Sequence, residues 1–156
     1  MRAPLPRRLS VTISIGILLL VPGVPGTIAT AEPTFPKAER LWNRSFVSTQ
    51  VTEDREPKRL VPGTRIGVSF VRERRHDVIR WSLACNFYGA ELTITRKRFL
   101  LEEHAGTDMG CSRDRMRQDR WISNFFEANP EWKLRRHHRV LTLTSGETVI
   151  RFRGEN

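Results

Sequence analysis

The stretch Trp81-Ser82-Leu83-Ala84-Cys85-Asn86-Phe87-Tyr88-Gly89-Ala90, answered further on by Thr107-Asp108-Met109-Gly110-Cys111, decides how this chain folds. The two segments hold both cysteines, and each cysteine stands where the local pattern changes. From Val78 to Cys85 the residues are apolar apart from Arg80 and Ser82, as in a mostly buried strand. Asn86 and Gly89 read as a turn, since both tolerate backbone conformations that other residues resist. Beyond Cys111 the pattern becomes helical: Ser112 is a good N-cap, and Met116, Ile122, Phe125 and Phe126 form one broad stripe. Asn129-Pro130 ends it, because the residue before a proline avoids the helical region.

On either side of this centre the period is two. Ile66, Val68 and Phe70 alternate with Arg65, Gly67 and Ser69, a half-buried strand, and the charged run Arg72–Asp77 is the hairpin tip that follows it. Leu92 and Ile94 mark another strand, Arg96-Lys97-Arg98 a turn, and Phe99–Leu101 a short strand after it. Trp132 and Leu134 lead into a closing hairpin of Val140, Leu141 and Leu143, a Ser145-Gly146 turn, then Val149, Ile150 and Phe152. Thr49–Leu60, charged and broken by Pro57, is expected to be a loop or an edge segment. Several strands, one amphipathic helix and a final hairpin predict a mainly β (α+β) domain, a small antiparallel barrel-like meander with one helix against it.

The beginning of the chain reads as a processing signal. Arg2, Arg7 and Arg8 precede an apolar run, Val11–Val21, which Pro22, Gly23, Pro25 and Gly26 break before the small-x-small Ala29-Thr30-Ala31. The run is about half the roughly 20 residues that span a bilayer, so a cleaved leader is favoured over a retained anchor. The division expected is a signal peptide at 1–31, a flexible lead-in at 32–40 and one domain at 41–153. Two cysteines in an exported chain read as one bridge, with a pair of buried thiols as the competing reading.

Charge is the other strong compositional feature. The 156 residues carry 27 Lys and Arg against 17 Asp and Glu, a net charge of +10. Without the leader's three arginines the balance is +7. Such an excess either attracts polyanions or reflects an arginine-rich composition. Arg113, Arg115 and Arg117 lie in the first turns of the helix, where its dipole disfavours them by about 0.3–1 kcal/mol each. They are therefore a possible anion site, together with the Arg135–Arg139 turn if the fold brings the two to one face.

The ordered set Trp42, Cys85-Asn86, Gly89, Thr107, Met109, Cys111 and Leu141-x-Leu143 resembles the META domain, the family of the heat-shock protein HslJ. The resemblance covers roughly Leu41–Phe152 and implies a compact β-rich fold, with Trp42 plugging one end of a barrel. It implies stress tolerance as a setting and no agreed activity. Leu83-Ala84 stand where the family usually has glycines, and Gly110 where alanine is common.

Chemistry has few candidates here. Cys111 near Arg113 with His104 upstream is the one thinkable nucleophile and base, and it requires an unpaired thiol. Cys85, His104 and Cys111 match no metal-ligand spacing, and phosphate loops, nucleophile elbows and nucleic-acid motifs are absent from the sequence. No catalytic residue, metal or cofactor is expected. The expectation is an exported, non-enzymatic binding or stress-tolerance protein of the envelope. An inhibitor of a secreted enzyme is the alternative and a thiol enzyme the third reading. The expected partner is an envelope or extracellular protein or a polyanion, without sequence-specific nucleic-acid binding or a membrane span.

Overall fold

A computed structural model describes residues 37–73, 76–135, 137 and 139–155. The expected leader and cleavage site, most of the expected lead-in and parts of the two basic turns lie outside the described residues. Nine strands form one sheet: β1 (Arg44–Glu53), β2 (Glu56–Pro57), β3 (Gly67–Arg72), β4 (Asp77–Ser82), β5 (Phe87–Ile94), β6 (Phe99–Gly106), β7 (Glu131–Arg135), β8 (Val140–Ser145) and β9 (Thr148–Gly154). The order across it is β6-β5-β4-β3-β1-β9-β8-β7, antiparallel throughout, with β2 a short ladder beside β1. The one α-helix among the described residues, α1 (Arg113–Glu127), falls between β6 and β7. The mainly β meander with one helix is thus the fold adopted.

The sheet curls into a half-barrel. Its two edge strands meet at a single bridge between Arg98 and Glu131. There the Phe99 amide donates to the Pro130 carbonyl and the Trp132 amide to the Lys97 carbonyl, each at 3.0 Å. The inner face is lined by Phe46, Val68, Phe70, Ile79, Trp81, Leu141, Leu143, Ile150 and Phe152, all buried, and Ile122 and Phe126 of α1 close over them. The alternation in β3, β4, β8 and β9 places these side chains inward and their neighbours outward.

Four expectations need correction. Thr49–Glu53 is the second half of β1, a strand and not a loop, paired with β9 on one side and, at Thr52 and Glu53, with the short edge ladder β2 on the other. A bulge between Ser48 and Gln50 resets the alternation, so Phe46 and Val51, an odd number of residues apart, both face inward. Trp132 and Leu134 belong to a strand of their own, β7, whose alternation from Glu131 to Arg135 places both inward, rather than to a lead-in to the closing hairpin. The turn after the central apolar run is Leu83–Asn86, closed by the Leu83 amide on the Asn86 carbonyl at 2.9 Å. Gly89 lies within β5 opposite Arg80, in ordinary extended backbone. Trp42 is not a plug: it is half-buried, edge-on to Phe70 at 6.3 Å, with the Arg72 guanidinium 4.7 Å from its ring. Leu41 beside it is the fully buried residue.

Candidate functional site

The motif residues converge where α1 meets the β4–β5 turn. Cys85 and Cys111 are bonded, their Cα atoms 6.3 Å apart, and the bond ties the turn to the residue just before the helix N-cap. Ser112 occupies the N-cap position, yet its side chain makes no capping bond; its carbonyl accepts from the Met116 amide at 3.0 Å.

The centre of the site is a carboxylate that stands in the arginine-rich first half of α1. Asp119 is 3 % exposed and points into the β4–β5 turn. Its Oδ1 accepts from the amides of Ala84 (2.9 Å) and Cys85 (3.2 Å). Its Oδ2 accepts from the Asn86 amide and the Asn86 side-chain nitrogen, both at 3.0 Å. Four donors on one buried side chain are what a carboxylate needs to leave water.

Asn86 passes the network on. Its Oδ1 accepts from the Thr107 hydroxyl at 3.0 Å and from the Met109 amide at 2.7 Å. Thr107 Oγ1 in turn accepts from the Phe87 amide at 3.1 Å. Asn86 is therefore a buried hub between two chain segments rather than a residue chosen for turn conformation. Thr107 acts through its hydroxyl, and Met109 only through its backbone, its side chain being exposed. A signal for Asp119 was present: with Ile122, Ser123 and Phe126 it follows the i, i+3, i+4, i+7 spacing of one helix face, all four buried.

Further along α1 a groove of about 500 Å³ runs between the helix and the loop at 58–62. Gln118 fixes that loop, accepting from the Val61 amide at 2.6 Å and donating to Thr64 Oγ1 at 2.9 Å. The Trp121 indole donates to Glu53 at 2.7 Å, and Lys58 lies 4.6 Å from the Trp121 ring. The Lys58 ammonium, and after it the indole N–H, hold the Glu53 carboxyl below the ordinary glutamate range against the opposing effect of burial.

The three helix arginines are exposed but do not share a face. Arg113 and Arg117 are one turn apart, Arg115 projects from the other side, and Arg117 is ion-paired with Asp114. The Arg135–Arg139 turn is fastened elsewhere: the Arg139 carbonyl accepts from the Gly154 amide at 2.8 Å, at the end of β9. His104 pairs with Glu127 at 3.3 Å beside Tyr88 and Trp81, and Cys111 has no thiol for it to act on. Among the described residues no group of three or more metal-ligating side chains is gathered, and no helix is long and apolar enough to cross a membrane.

Comparison with known proteins bears on the whole domain. The family model described as the META domain matches residues 39–156. A protein from Burkholderia xenovorans solved by NMR is similar in fold at 15 % identity and a TM-score of 0.61, covering 87 % of this chain and 99 % of its own. A second NMR structure is similar at 20 % identity and a TM-score of 0.56, covering 74 % of this chain and 92 % of its own. No curated protein matches.

Proposed function

The chain belongs to the META domain family, and on that footing we propose that it is an exported binding module of the cell envelope or extracellular space, working without catalysis. The observation that carries this reading is the use made of the motif side chains. The two cysteines are bonded to each other, and Asp119 and Asn86 are engaged in the network that holds the helix to the turn. A bonded cysteine offers no thiolate, and a carboxylate accepting four hydrogen bonds serves as an anchor. The disulfide suits an oxidising compartment, in keeping with a leader cleaved after Ala31. What remains for partners is the surface, and it is strongly basic.

The test is expression with the native leader, followed by N-terminal sequencing and thiol titration in denaturant. A chain recovered outside the cytoplasm, beginning at Glu32 and without titratable thiol, is expected. A cytoplasmic chain that keeps its leader and two free thiols overturns the reading.

A further inference from the structure

The sheet register assembles a basic stripe that no single segment of sequence displays. Lys133 of β7 is level with Thr142 of β8, Arg151 of β9 and Gln50 of β1. One step along, Arg135 is level with Val140, Arg153 and Val47. The buried partners on these strands are Trp132, Leu134, Leu141, Ile150 and Phe152, so both rows lie on the outer face. The four cations form a rectangle with sides of roughly 7 Å along a strand and 10 Å across two strands, and no acidic residue stands in either row.

The stripe opens at each end into a depression. At the β7 edge a cleft of about 470 Å³ adds Lys37, Arg96 and Lys97 to Lys133 and Arg135, and its one carboxylate, Glu131, is paired with Arg98 at 3.3 Å. In the other direction the second row runs on from Val47 through Gly67 and Ser82 to Phe87, which is 60 % exposed. There a trough of about 360 Å³ includes Ser69 and Ser82 in its lining, with Phe87, Arg80 and one carboxylate, Glu155, also lining it.

We propose that this outer face binds an acidic polysaccharide lengthwise, with Lys133, Arg135, Arg151 and Arg153 taking its carboxylates. The proposal rests on the reading of the chain as an exported binding module. Two of the four cations are arginines of β9, whose planar forks match carboxylates in pairs. Thr142 stands between Lys133 and Arg151 and Gln50 just beyond Arg151, hydroxyl and amide groups suited to sugar hydroxyls, and farther along the face is an exposed ring on which a pyranose can lie. The rows lack the repeated aromatic platforms that single-stranded nucleic acid uses. A single distant phenylalanine falls well short of the apolar face that lies in a lipid interface.

Binding of the purified, oxidised protein to a polyuronate tests this, with dextran as the neutral control and oligothymidylate as the nucleic-acid arm. Polyuronate should bind and weaken steeply between about 20 and 200 mM salt, with dextran not retained. The variant K133Q/R135Q/R151Q/R153Q should lose at least about tenfold and show a shallower salt dependence, with its melting temperature kept because all four side chains are exposed. Phe87→Ala should weaken binding about two- to fivefold and leave the salt dependence alone, since it removes contact and no charge. The control R113Q/R115Q/R117Q should bind like the parent. Parent-like binding by the quadruple variant, an equal loss in the helix control, or tighter binding of oligothymidylate than of polyuronate overturns the assignment. Absence of binding to any anion overturns it too, while a correctly processed, oxidised chain outside the cytoplasm would leave the export reading standing.

Discussion

The two halves of α1 are held to the same sheet by opposite means. The first half is fastened by direction: a disulfide just before it, and Asp119 accepting four hydrogen bonds from the β4–β5 turn. The second half is fastened by area, with Ile122, Phe125 and Phe126 buried and Phe126 stacked 4.7 Å from Trp81. Apolar packing is strong but tolerates sliding, whereas hydrogen bonds to three consecutive amides allow one register only. The polar half therefore sets where the helix lies and the apolar half supplies much of the reason for it to lie anywhere.

The largest effects should come from removing one member of each half. Asp119→Ala strands three backbone donors and the Asn86 side-chain nitrogen, at a loss of roughly 3–5 kcal/mol in denaturant unfolding. Phe126→Ala should lose roughly 3–5 kcal/mol through the cavity it leaves. Seven residues separate them, about 10 Å along the helix axis, so the double variant should equal the sum within about 0.5 kcal/mol. A strong coupling between them would break the division into two independent fastenings.

Replacing both cysteines by serine comes next, at roughly 3–4 kcal/mol for a loop of 26 residues. Here non-additivity is expected: the disulfide and Asp119 restrain the same turn, so combining the changes should reveal a coupling of about 0.5–3 kcal/mol. Simple addition would place the two restraints on separate cooperative units.

A smaller effect belongs to the far end of the apolar half. Asn129 ends the helix at φ 54° and accepts from the Leu101 amide at 2.8 Å. Asn129→Ala should cost about 1–2 kcal/mol through left-handed backbone strain and the lost acceptor. Asn129→Gly should recover the backbone part alone.

The smallest concerns the solvent-facing tether at Trp121. Because the folded Glu53 carboxyl is depressed, its contribution is present above the ordinary glutamate range and disappears as pH falls through the lower folded value. Trp121 fluorescence should shift only in that acidic window, and Glu53→Gln should abolish the shift. The partners are about a third exposed, at 31 % and 35 %, so the accompanying stability change should stay under about 1 kcal/mol.

The apolar half was far easier to read from sequence than the polar one. Phe125 and Phe126 announce burial by their chemistry, and Ile66, Val68 and Phe70 announce a strand by alternation. Asp119 sits in Arg113–Arg120, a run so charged that its residues look solvent-facing, and only its spacing to Ile122 and Phe126 betrays the face it occupies. The cysteines and Asn86 were legible as a focus, while the acceptor that joins them lies 33 residues from Asn86 in another element. The bulge in β1 concealed the strand for a related reason, since a single extra residue erases a period of two. The basic stripe was hidden most fully: Lys133, Arg135, Arg151 and Arg153 become neighbours only through β8, which contributes none of them.

The incomplete closure of the half-barrel leaves an edge whose side chains bear on what could pair with it. Beyond the stretch sewn to Asn129–Trp132, the outer edge of β6 has no strand beside it among the described residues, and an open edge is a template for another chain to extend. Glu102 and Glu103 occupy that edge as consecutive exposed carboxylates in an otherwise cationic protein. Two copies pairing there in antiparallel fashion would bring four like charges together, so the edge resists aggregation by repulsion where the fold has left it without a cover.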